Sequence, residues 1–215
     1  MRDRDYEKEK PAGVFRIALM GSSHTKGSGV RDDETYENLV EDRLNAERGG
    51  GPQIEILNFS TGGYGPLCKL AQLRQEVLAF QPDVVLYEGI DDETWIVNEI
   101  ANAADKGHVI PFAHVNETAV AAKVEKGLPH PMAEARLRPH AGELLEWVLA
   151  EFAGICKDAG AKPWAMFLPR PEDRDDDPKA IIAGLMSRTQ KAGFETLDMS
   201  AAYDGVKELE SLWIA

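Results

Sequence analysis

The hydrophobic pattern along the chain switches between two periods. Short continuous apolar runs alternate with longer stretches in which apolar residues recur every three or four positions. The first run, Ile17 to Met20, breaks at once into Gly21-Ser22-Ser23-His24-Thr25, with further glycines at Gly27 and Gly29. Residues 34–47 read as a helix with Tyr36, Leu39, Val40 and Leu44 on its inward face and Asp32 or Asp33 as cap. Gly49-Gly50-Gly51-Pro52 ends it. Residues 54–59 read as a second strand, followed by the loop Ser60-Thr61-Gly62-Gly63-Tyr64-Gly65. Pro66 opens a helix whose face is Leu67, Leu70, Ala71, Val77 and Leu78, running to about Phe80. A third strand, 84–87, ends in Glu88-Gly89-Ile90-Asp91-Asp92, and a helix follows over about 93–104.

Beyond this point the pattern weakens and then returns. Pro111, Pro129, Pro131 and Pro139 punctuate residues 108–139, in which 118–125 has the pattern of a short helix. That span reads as an insertion, either a lid or a partner-facing segment. Leu144, Leu145, Val148, Leu149, Phe152 and Ile155 restore helical spacing until Gly160. Then come a strand at 163–168, an acidic solvated loop at 171–178, a helix at 179–192, a strand at 194–197 and a helix at 201–212.

Strand and helix thus alternate five times. The strands are continuous apolar runs, as sheets covered on both faces require. The connections are long enough for right-handed parallel crossovers. The expectation is a three-layer α/β/α sandwich around a five-stranded, mainly parallel sheet. A charged arm (1–13) precedes a single α/β domain (14–215). The chain stops at Leu212-Trp213-Ile214-Ala215 inside an apolar run, which reads as a domain cut short at its C-terminus.

Composition narrows the function classes. A chain of 215 residues suffices for one α/β domain with a full core. Its 43% apolar and 28% charged residues are ordinary for a soluble protein. A formal charge of -13 argues against a nucleic-acid partner, which needs a basic face. No run approaches the roughly 18 apolar residues of a membrane span. Cys68 and Cys156 fall on apolar helical faces without metal-ligand spacing, so they read as reduced core residues, and neither metal nor cofactor is expected. Trp95, Trp147 and Trp164 read as core. Compartment and oligomeric state leave no trace in the pattern.

In a doubly wound sheet the functional loops follow the carboxyl ends of the strands. Three successive strands here end in small-residue or acidic loops that such a sheet brings to one edge. A serine at 22 or 23 is chemically fit to be a nucleophile, a phosphate ligand or a helix cap. A P-loop needs G-x-x-x-x-G-K-[ST], and Lys26-Gly27-Ser28 has lysine and glycine in the wrong order. The dinucleotide fingerprint G-x-G-x-x-G is also missing after the first strand. Gly62, Gly63 and Gly65 also suit plain turns, and Asp91 and Asp92 suit helix capping.

Gly21-Ser22-Ser23-His24-Thr25, Asn58-Phe59-Ser60-Thr61-Gly62-Gly63 and Gly89-Ile90-Asp91-Asp92 resemble the first three blocks of the SGNH/GDSL hydrolase superfamily. Those blocks are G-D-S, a glycine about five residues after an asparagine, and G-x-N-D. The likeness covers residues 15–92 well and the later strands in outline. It implies a flavodoxin-like SGNH hydrolase fold and an esterase or acyl hydrolase, with a small-molecule or carbohydrate ester as substrate. It also implies Ser23 as nucleophile and an oxyanion hole from the backbone N–H groups of Ser23 and Gly63. Asp91 stands where the family has its third donor, an asparagine, and an ionised carboxylate only accepts hydrogen bonds. Tyr64 and Asp92 are the substrate-contact candidates, and Ser22 replaces the family aspartate.

The family's base, in a D-x-x-H block after the last strand, has no counterpart after Leu197. Asp105-Lys106-Gly107-His108 has that spacing but reads as a helix end with a solvated histidine. His114, His130 and His140 fall in or beside the insertion, and His24 diverges from Ser23. Three functions stay open: ester hydrolysis, O-acyl transfer to a sugar, and non-catalytic binding on the same fold.

Overall fold

Five parallel strands form the spine of the chain in the order β2-β1-β3-β4-β5. They are β1 (Val14–Met20), β2 (Gln53–Asn58), β3 (Val84–Gly89), β4 (Lys162–Phe167) and β5 (Glu195–Asp198). The helices are α1 (Tyr36–Glu47), α2 (Pro66–Gln75), α3 (Asp92–Lys106), α4 (Ala113–Ala121), α5 (His130–Leu137), α6 (Ala141–Asp158) and α7 (Pro178–Ala192). The computed structural model describes residues 4–89, 91–168 and 178–206, with the side chains of 178–181 left aside. The expected acidic loop at 171–177 and the end of the expected last helix, 207–212, lie outside these residues. Residues 201–205 form turns where that helix was expected to begin.

Side-chain alternation along the strands divides the sheet into two unlike faces. Ala18, Met20, Leu57, Val85, Tyr87, Ala165 and Phe167 join α2, α3, α6 and α7 in one large apolar core. Leu19, Ile56 and Met166 form a small cluster on the other face, where α1 contributes only the half-buried Tyr36.

The orientation of α1 overturns the sequence expectation. Leu39, Val40 and Leu44 are 56%, 44% and 41% exposed, whereas Glu37, Asn38 and Glu41 are buried. The reason is that β2 is an edge strand, whose outward backbone groups need partners. Glu41 accepts the Ile56 N–H at 2.6 Å, and Asn45 both accepts from Ile54 N–H (2.9 Å) and donates to its carbonyl (2.8 Å). A helix that closes a sheet edge must present polar residues inward.

Two further differences follow from packing. The charged arm is anchored: Arg4 pairs with Glu41 and Asp42, Tyr6 donates to Glu41 at 2.8 Å, and Lys10 pairs with Asp83 at 2.5 Å. Residues 108–139, read from sequence as a weakly patterned insertion, contain regular structure. They carry α4 and α5, α5 packs along α3, and Val115, Ala133 and Leu137 are fully buried. The helix expected at 118–125 starts earlier, at Ala113, because Phe112 and Val115 reach the core.

Candidate active site

The order β2-β1-β3 places the carboxyl end of β1 between two neighbours at the point where the strand order reverses. The turn that leaves β1 is tied to both. Gly21 N–H donates to Ser60 Oγ at 2.9 Å, and Thr61 N–H donates back to the Gly21 carbonyl at 3.2 Å. On the other side Ser22 N–H points at Glu88 Oε2, 3.3 Å away. Within the turn, Lys26 N–H bonds the Ser22 carbonyl (2.9 Å) and Ser28 N–H the Ser23 carbonyl (3.1 Å). Gly21 is required sterically: a Cβ there would lie 2.4 Å from Thr25 Oγ1 and 2.7 Å from Glu88 Oε2.

This geometry separates the two serines. Ser22 is turned inward and buried, and its hydroxyl has no hydrogen-bond partner. Ser23 is half-buried on the open side. The second loop comes directly against it: a Cβ on Gly62 would sit 3.7 Å from Ser23 Cβ, in van der Waals contact. Gly63 follows at φ +80, a left-handed conformation that favours glycine. The turn that carries Gly63 thus lies beside Ser23. Tyr64 is half-buried on the same loop.

Asn58, at the end of β2, fixes these two loops relative to each other. Its Nδ2 donates to the Thr25 carbonyl (2.9 Å) and to Glu37 Oε1 (2.7 Å), and its Oδ1 accepts Ser60 N–H (3.0 Å). Around Glu88 lies a buried polar pocket that also holds the hydroxyls of Thr25 and Tyr36, which interact with each other. Burial, with Glu88 and Glu37 adding to it, holds the Tyr36 phenol well above the ordinary tyrosine range, so it stays protonated. Sequence reasoning missed Glu88, Glu37 and Thr25. Glu88 closes the apolar run of β3, whereas Thr25 lies in the loop after β1 and Glu37 within α1, where no local pattern marks them.

The third loop departs from the expected arrangement. Asp91 is exposed and caps α3, accepting Thr94 N–H at a long 3.4 Å. Asp92 is 3% exposed. Burial first, then Asp92 beside it, pushes the Tyr87 hydroxyl well above the ordinary range. Gly89 has no room for a side chain, since a Cβ would meet Phe167 Cε1 at 2.0 Å. Beneath this loop the buried Lys69 donates to the Glu88 carbonyl (2.6 Å) and lies 4.5 Å above the Tyr87 ring.

None of the histidines stands at the Ser23 hydroxyl in the described arrangement. His24 is exposed on the turn, and His108 is exposed beyond Gly107, the left-handed C-cap of α3. His114 stacks against Trp147 with ring centroids 5.1 Å apart. His130 opens α5 and His140 precedes α6. Among the described residues, no three His, Cys, Asp or Glu side chains are placed to hold a metal ion. No described helix is long and apolar enough to cross a membrane.

Known structures share this architecture. An acetyl xylan esterase, AlAXEase, superimposes with a TM-score of 0.55 at 14% identity, covering 92% of this chain and 83% of its own. A catalytic mutant of Axe2, an acetylxylan esterase from Geobacillus stearothermophilus, gives 0.55 at 16% identity, covering 93% and 81%. TesA gives 0.53 at 16% identity, covering 89% and 83%. No protein-family model matches the chain, and no curated protein does. The chain thus shares with these structures an α/β/α sandwich on a parallel sheet, the architecture that the alternation of strands and helices implied.

Proposed function

We propose that the chain is a serine acyl hydrolase acting on an ester, with Ser23 as nucleophile. The observation that carries this reading is the contact between Ser23, presented at the end of β1, and the Gly62-Gly63 turn at the end of β2. In the proposed reaction Ser23 Oγ attacks the ester carbonyl and its proton passes to a general base. The backbone N–H groups of Ser23 and Gly63 stabilise the oxyanion. The alkoxide leaves as the alcohol once protonated, and the acyl-enzyme is discharged by water. A sugar hydroxyl in place of that water would make the same site an O-acyltransferase. The acetylxylan esterases of like fold support an O-acyl carbohydrate as substrate.

The other residues take supporting parts. Tyr64 lines the approach to Ser23. Asp92, buried at the start of α3, orders the third loop before it touches any substrate. Asp91 cannot serve as an oxyanion donor while ionised, and no histidine is in place to take the Oγ proton. Residues 1–215 are therefore expected to turn over simple esters slowly. Asp91 with the scattered histidines also favours the second reading, a non-catalytic binding module.

Reaction with a fluorophosphonate separates the two. Attack by Ser23 Oγ on phosphorus releases fluoride and leaves a stable phosphonyl ester. Mass spectrometry is expected to find one adduct, on Ser23, and none in Ser23→Ala. An unmodified Ser23 under conditions that label a control serine esterase would favour the binding module. Asp91→Asn tests the third donor. Asparagine caps a helix as well as aspartate does, so stability should hold while labelling accelerates by up to about 10²-fold.

A further inference from the structure

A second concave surface adjoins the Gly62-Gly63 turn. Gly63 lines an open cleft of about 330 Å³. Its walls include Leu67 and Ala71 from α2, Ala103 from α3, and Ile110, Pro111 and Phe112 from the connection to α4. Small-molecule sites are typically apolar clefts of roughly 300–1,000 Å³, so this one is of ligand size. Its far wall is held in place: Phe112 packs edge-to-face on Trp147 at 5.8 Å, and the Arg74 guanidinium lies 5.4 Å from its ring centre. A preformed wall loses little entropy on binding.

Two polar groups interrupt the lining, and both are accounted for. Glu99 accepts the N–H groups of Gly65 (3.0 Å), Leu67 (2.9 Å) and Cys68 (2.9 Å), the otherwise unpaired donors of the first turn of α2. Its carboxylate is satisfied by the protein and calls for no cationic ligand. Burial pushes the Cys68 thiol up to about 12, so it remains uncharged at neutral pH. Asn102, Lys106 and His108 are exposed and form a polar rim. An apolar interior with satisfied polar groups and a polar rim suits a hydrocarbon group.

We infer that this cleft receives the acyl chain of a medium-chain ester whose carbonyl lies between Ser23 and Gly63. The inference rests on the serine-hydrolase reading of that site. Gly63 belongs both to the turn beside Ser23 and to the lining of the cleft, so a group on the carbonyl carbon can reach it. The alcohol departs in the first step, whereas the acyl chain stays on Ser23 Oγ through both, so the acyl chain is the group a fixed cleft there serves. An apolar cavity of about 150 Å³ holds one benzene. By that measure the cleft takes a chain of roughly ten carbons. Each methylene buried there should strengthen productive binding about fourfold.

The test uses alkylphosphonofluoridates, which place a chain on either side of the reacting centre. A P-decyl, O-ethyl probe carries the chain on the acyl side, and a P-methyl, O-decyl probe carries it on the alcohol side. A P-methyl, O-ethyl probe is the reference. Ser23 should react with the P-decyl probe at least about 100-fold faster than with the reference, the gain from fully burying only three to four of its methylenes. Ala71→Phe and Ala103→Trp, which fill the cleft, should bring the ratio of the P-decyl rate to the reference rate down toward one. Equal rates for P-decyl and reference, a preference for O-decyl, or an advantage that survives both variants would overturn the inference. If no probe modifies Ser23, the hydrolase reading fails by itself. The cleft is then judged by titration with a dansyl-labelled undecanoate. Saturable binding lost in Ala103→Trp supports a hydrocarbon site, and absent binding, or binding unchanged in that variant, overturns it.

Discussion

The two faces of the sheet differ in what holds them to the chain around them. On one face Phe152, Leu145, Val148 and Ile96 are fully or almost fully buried against Met20, Val85 and Tyr87, and the contacts are nearly all between apolar side chains. On the other, α1 meets the sheet through Glu37, Glu41 and Asn45, which bond edge-strand backbone and the carboxamide of Asn58. The first face supplies stability through buried area. The second holds the turn bearing Ser23 in place, through bonds that specify direction. Nonspecific packing can hold a helix, but setting one loop against a neighbouring loop requires directional contacts.

The sharpest contrast comes from truncation on the apolar face. Phe152 touches Tyr87 and Phe194, with ring centroids 5.4 Å and 5.8 Å away. Phe152→Ala should cost about 3–5 kcal/mol, from lost transfer energy and the cavity left behind. Urea denaturation measures it. A cost below about 1 kcal/mol would mean that the core collapses around the gap and that the two faces differ less than the burial pattern implies.

On the polar face the informative change is toward the apolar. The hydrophobic pattern alone makes Glu41→Leu look harmless, since it would extend an apolar stripe. The structure has Ile56 N–H, Tyr6 and Arg4 all directed at that carboxylate. Glu41→Leu should therefore destabilise by about 1–3 kcal/mol, because a buried edge-strand donor loses its acceptor. Stability unchanged or raised would break the claim that α1 closes the edge by hydrogen bonding.

What could be read from the sequence divides along the same line. The apolar face was legible because burial there depends only on local periodicity: the stripe from Leu144 to Ile155 became α6 as expected, with Ile155 half-buried. The loops after β1, β2 and β3 were legible as loops because each apolar run ends in small or acidic residues. The orientation of α1 was not, since Glu41 and Asn45 answer to backbone groups of β2 that are free only because β2 lies at the edge. That fact resides in strand order, which no local pattern carries. Glu88 was hidden for the same reason, as its partner Ser22 N–H lies on another strand's loop. The helices α4 and α5 were obscured by prolines that sit at helix starts, where proline is tolerated.

A smaller effect concerns the acid on the apolar side. Burial raises the Glu99 pKa above the ordinary glutamate range, against the three N–H bonds that lower it. A raised carboxylate binds its proton more tightly in the folded chain than in the unfolded one. Its contribution to stability is complete below the unfolded value and declines as pH rises toward the folded one. Glu99→Gln lacks this titration. Denaturation of both proteins between about pH 4 and pH 7 should show the difference moving in the variant's favour as pH rises. A difference that is flat, or that moves the other way, would mean the N–H bonds outweigh burial.

The smallest expected effect is the most direct check on α1. Leu39 and Leu44 lie on its outer surface, 56% and 41% exposed, and neither belongs to an apolar cluster. Replacing each with glutamine exchanges one good helix former for another and removes little buried area. Each change should fall within about 0.5 kcal/mol of the parent. If α1 instead packed its leucines inward, as periodicity alone implies, each substitution would bury an unpaired amide and cost several times that. A near-zero result here, beside a large loss in Glu41→Leu, places the working side of α1 on its acids. The same helix then both closes the sheet edge and holds Asn58, through Glu37, at the loops around Ser23.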